Sequence, residues 1–68
     1  MDIEILLNRL ASPAQRAIRS TGVTTLEQLS NMTEDEISNL HGIGKNAMKT
    51  ILATLAENGL SLSRGDGF

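Results

Sequence analysis

The chain has 68 residues, a formal charge of −2, a pI near 5.1 and no cysteine. That length holds one small domain, which buries only about 60% of its unfolded surface, and the missing cysteine excludes disulfides and thiolate metal sites. The longest apolar runs fall far short of the roughly 20 residues that span a bilayer, and no basic-then-apolar leader is visible, so the expectation is a soluble, cytoplasmic protein.

In chain order the pattern is helical throughout. Ile3, Leu6, Leu7 and Leu10 fall at i, i+3, i+4 and i+7, one face of a helix. At Ser12-Pro13 this segment stops and a second helix starts, with Ser12 read as its cap, Pro13 in its first position and Gln15 completing a capping box. Ala14, Ala17 and Ile18 supply its buried side, and Gly22 ends it. Thr24 opens a third short helix, with Glu27 at the capping-box position and Leu26 and Leu29 facing inward. Thr33 repeats the device with Glu36, and Ile37 and Leu40 point to the core. The longest helix runs from about Lys45 to Asn58, with Ala47, Met48, Ile51, Leu52 and Leu55 along one stripe. Gly59 fits the left-handed terminator position, with Leu60 folded back onto Leu55 as in a Schellman motif. From Ser61 to Phe68 the periodicity stops, which predicts a flexible tail. The sum is an all-α, compact bundle of about five short helices, a single domain over residues 1–60 with its closing helical pair at about 33–58 and a tail over 61–68.

The stretch Leu40-His41-Gly42-Ile43-Gly44-Lys45-Asn46-Ala47 carries the chemistry. Its paired glycines allow a tight turn and close backbone approach. The helix that follows has unpaired amides pointing back at the turn, and these, the dipole and Lys45 suit an anionic oxygen. Gly42, Ile43, Gly44, Lys45 and Asn46 are therefore candidate phosphate contacts, with Lys49 on the same helix face as Lys45. The competing reading is structural: a sharp corner needs glycine, Ile43 plugs the core, and the lysines form a solvated pair. His41, the single histidine, has no companions for a metal site and reads as a turn residue with phosphate contact as its other use. Glu34, Asp35 and Glu36 occupy a helix's first turn, where carboxylates favour the positive dipole end. No nucleophile triad, phosphate loop or paired-carboxylate cleft is present, and so small a chain leaves little room for a ligand pocket. The expectation is no enzyme, cofactor, metal or small-molecule substrate. Phe68 is the single aromatic residue, so stacking on bases is not available.

Aliphatic, any residue, glycine, aliphatic, glycine, then a helix carrying alanine is the core of the helix-hairpin-helix motif, which Leu40 to Ala47 resembles. Leu10 to Leu62 as a whole resembles the carboxy-terminal domain of the bacterial RNA polymerase alpha subunit. The likeness is carried by Gly44-Lys45, Gly59-Leu60-Ser61-Leu62, Leu26-Glu27-Gln28-Leu29 and Thr33-Glu34-Asp35-Glu36. The resemblance implies a SAM-like bundle that binds DNA across the minor groove and also contacts transcription activators. It implies that Arg16 and Arg19, on the second helix, widen the basic patch. The family's minor-groove arginine falls at Pro13 and its neighbouring asparagine at Arg16. Gly44 and Lys45 are kept, while the next lysine becomes Asn46 and the serine Ala47. Two readings follow: a module gripping duplex DNA by its phosphates, or a protein-interaction adaptor of the same fold without DNA binding, favoured by the net negative charge and the acidic Thr33–Glu36 turn.

Overall fold

Threonine side chains set where two of the helices begin. A computed structural model describes residues 1–63, with α1 Glu4–Leu7, α2 Ser12–Ser20, α3 Leu26–Ser30, α4 Glu34–Ser38 and α5 Lys45–Glu57, and no β-strand among those residues. At α4 the predicted capping box forms: the Glu36 amide donates to Thr33 Oγ1 at 3.1 Å and the Thr33 amide to Glu36 Oε1 at 2.9 Å. At α3 the cap sits one residue later than Thr24. Thr25 Oγ1 accepts the Gln28 amide, while Gln28 Oε1 takes the Thr24 amide, so Glu27 plays no part in that cap. Twin threonines followed by Glu-Gln make the two registers equivalent by local spacing, and packing chooses between them.

The capping box expected at Ser12 does not form. The N-cap of α2 is Ala11, with Ser12 already helical, which moves Gln15 past the position that reaches back to a cap amide. Gln15 instead donates through Nε2 to the carbonyls of Leu7 at 2.6 Å and Leu10 at 3.0 Å. It thereby supplies the Leu10 carbonyl and adds a second donor to the Leu7 carbonyl, which also accepts the Leu10 amide.

Every helix contributes to one core. Leu6, Leu7, Ile18, Leu26, Leu29, Ile37, Ile51 and Leu55 are fully buried or nearly so. Leu52, expected on that stripe, is 38% exposed, and Thr54 takes an inward position instead. At about 100° per residue Leu52 lies a quarter-turn off Ile51, and Thr54 is admitted because Arg9 Nη1 donates to its Oγ1 at 3.2 Å. At the end of α5, Gly59 has φ +74, the Leu60 amide donates to the Leu55 carbonyl at 2.8 Å and the Gly59 amide to Ala56 at 3.1 Å. This is the Schellman geometry expected from the sequence.

Residues 61–63, expected to open a flexible tail, are held by the fold. Leu62 packs against the core, and the Ser63 amide donates to the Met32 carbonyl at 3.0 Å, tying the chain to the α3–α4 connection. Residues 64–68 of that expectation lie outside the described residues. Among the described residues no helix is long and apolar enough to cross a membrane.

Candidate functional site

The corner between α4 and α5 is built by backbone meeting backbone. Gly42 has φ +101, and a Cβ placed on it would lie 2.6 Å from the Pro13 carbonyl oxygen and 3.0 Å from its carbon. Only glycine allows both the left-handed conformation and this approach. In sequence Pro13 reads as the first position of a helix, standing where an arginine was expected; in the fold its main chain is also the floor on which the turn rests.

That contact sets the first turn of α2 beside the start of α5 and leaves a groove on each side. One, of about 530 Å³, is lined by Arg9, Pro13, Gly42, Gly44, Lys45 and Asn46 among others. The other, of about 360 Å³, is lined by Ser12, Pro13, Arg16, His41 and Gly42. Both are open surface depressions, larger than the sequence led one to expect. No carboxylate lines either of them.

The two threonine-capped helices make the start of α5 conspicuous. Its N-cap is Gly44, which has no side-chain oxygen to offer. Among the described residues, no protein acceptor takes the amides of Gly44, Lys45, Asn46 or Ala47. The Met48 amide is the first one used, donating to the Gly44 carbonyl at 3.0 Å. Gly44, Lys45 and Asn46 are exposed and Ala47 is half-buried. Ile43 is different. Its side chain packs against the core and its amide donates to the Leu40 carbonyl at 3.2 Å, so of the proposed contacts it is the one spent internally.

The basic residues divide in the same way. Arg9 grips Glu57 with two bonds, 3.0 and 3.1 Å, joining the end of α1 to α5. This pairing, first by hydrogen bond and then by charge, holds the Glu57 carboxyl below the usual carboxylate range and raises Arg9. Arg19 pairs with Glu4 at 3.1 Å and borders a separate groove with Asp2, Gly22 and Thr24, so the structure does not bring it to the hairpin. Among the described residues, Arg16, Lys45 and Lys49 form no ion pair. Lys45 opens α5, Lys49 follows one turn on, and Arg16 faces the His41 groove.

The acidic first turn of α4 is partly committed, since Glu36 is held in the capping box. Arg9 and Gln15 were missed as contributors to this region because their partners lie on other helices, which local spacing does not reveal. Chemically, the corner presents unused amide donors and unpaired cations to any anionic oxygen that approaches. No protein-family model matches the chain, and no solved structure matches it significantly.

Proposed function

We propose that this protein is a non-catalytic helix-hairpin-helix module that binds duplex DNA through the phosphate backbone with low sequence preference, in a transcription-associated setting. The observation that carries the reading is the uncapped start of α5, whose four amides have no protein acceptor among the described residues and are flanked by cations with no carboxylate partner among them. The amides of Gly44 to Ala47 receive a phosphate oxygen, Lys45 neutralises its charge, and Arg16 and Lys49 extend the contact. Gly42 shapes the corner and gives it its backbone seat. Contacts of this kind position a protein without reading bases.

With two to four phosphates neutralised, log K falls against log salt with a slope of about −2 to −4, and affinity stays in the micromolar range or weaker. Fluorescence anisotropy of a labelled duplex, read over a salt series, tests this. Lys45→Glu is expected to abolish binding, because it removes one cation and sets an anion beside the amides. Wild-type affinity unmoved by salt, or by Lys45→Glu, would overturn the reading.

The second reading, a protein-interaction adaptor, is supported by the net charge of −2 and by exposed Glu34 and Asp35 on α4. It predicts that a duplex has no effect even at low salt and that Lys45→Glu is nearly neutral.

A further inference from the structure

The Pro13–Gly42 contact divides the corner into two grooves, and the α5 amides belong to one of them. The other joins Arg16 of α2 to His41 of the turn, residues far apart in sequence that the backbone contact brings to one depression. Both side chains are exposed, and Arg16 forms no ion pair among the described residues. Among the described residues, the charged groups lining the two grooves are all basic: Arg16 of α2 beside His41, and on the other side of the Pro13–Gly42 contact Lys45 of α5 and Arg9, which follows α1 and is paired with Glu57. Among the described residues no carboxylate lines either groove.

We propose that the Arg16–His41 groove is a second seat on the same duplex, in which Arg16 takes one phosphate at any pH and protonated His41 takes the adjacent one. The proposal rests on the duplex-backbone reading above. Histidine is the side chain that ordinarily changes charge between pH 5 and 8. Neutral, His41 leaves Arg16 to hold the seat alone. Protonated, it adds a cation and donors on both ring nitrogens for the adjacent phosphate.

Counterion release provides the readout. Each phosphate neutralised adds about 0.9 to the steepness of log K against log salt. The intact chain with a short duplex, measured at pH 5.5 and pH 8, is expected to show a slope steeper by about 0.9 at the lower pH. If the two lines meet at 1 M, that is about eightfold tighter binding at 0.1 M salt. In His41→Gln the two slopes coincide. In Arg16→Gln the slope is shallower by about 0.9 at both pH values.

A wild-type slope independent of pH, or a pH difference that survives in His41→Gln, overturns the second seat and leaves the first reading intact. No binding at either pH overturns both. Because His41 and Arg16 are exposed, both variants retain the fold, and a far-UV circular dichroism spectrum at each pH verifies it.

Discussion

Gly42→Ala separates the two demands that the corner makes on its first glycine. A non-glycine residue held at φ +101 costs about 1–3 kcal/mol in backbone strain. The added methyl would also sit 2.6 Å from the Pro13 carbonyl oxygen, and forcing an extra carbon into packed structure costs about 1–3 kcal/mol more. Together these give about 2–6 kcal/mol, against about 3–10 kcal/mol for the whole stability of a chain this size. Gly22 and Gly59 supply the control. Both have positive φ with nothing within 4 Å of a new Cβ, so Gly22→Ala and Gly59→Ala bear the strain alone, about 1–3 kcal/mol. Gly44→Ala, at φ −103 with open space around it, costs about 0.5 kcal/mol or less. Urea unfolding followed by far-UV circular dichroism ranks the four. If Gly42→Ala is no worse than Gly22→Ala, the turn does not rest on Pro13 and the two-groove geometry is wrong.

Gln15→Ala leaves the Leu10 carbonyl without its partner and takes one of two donors from the Leu7 carbonyl, and is expected to cost about 1–3 kcal/mol in the same assay. Had Gln15 been capping its own helix, Gln15→Glu would be harmless; here it puts a carboxylate against two carbonyls and is destabilising too. Acid lowers stability through Glu57, because its folded-state pKa is depressed by Arg9. The contribution is present above the ordinary carboxylate value of about 4.3 and is lost as pH falls through the lower folded value. Urea midpoints of wild type and Glu57→Gln are therefore expected to differ by a constant amount at pH 5 to 6 and to converge in more acid solution.

Helix content and core were largely legible because both follow from local rules. The i, i+3, i+4 spacing of Ile3, Leu6, Leu7 and Leu10 found the buried face of the first segment, and all of them are buried. Thr33 with Glu36, and Gly59 with Leu60, gave their caps because each device is complete within a few residues. Reading failed where a tertiary partner chose between local options. Gln15 went to α1, Thr25 won over Thr24, and Thr54 took an inward place through Arg9.

The corner was recognisable from its two glycines, but the reason for the first was not, since a carbonyl at Pro13 is invisible from residue 42. For the same cause Arg19 looked like a member of the basic patch. Among the described residues its helical neighbour Arg16 has no ion pair, while Glu4 on another helix takes Arg19. Spacing along α2 treats the two arginines alike.

The most direct measurement is a proton–nitrogen correlation spectrum of the nitrogen-15-labelled chain, titrated with a short duplex at low salt. The amides of Gly44, Lys45, Asn46 and Ala47 should move most, with protons shifting downfield as they gain a phosphate acceptor, and should return as salt is added. The Ile43 amide, already committed to Leu40, should move least within the turn. If those four amides stay in place while the duplex binds elsewhere, or if nothing moves at low salt, α5 does not receive a phosphate at its start.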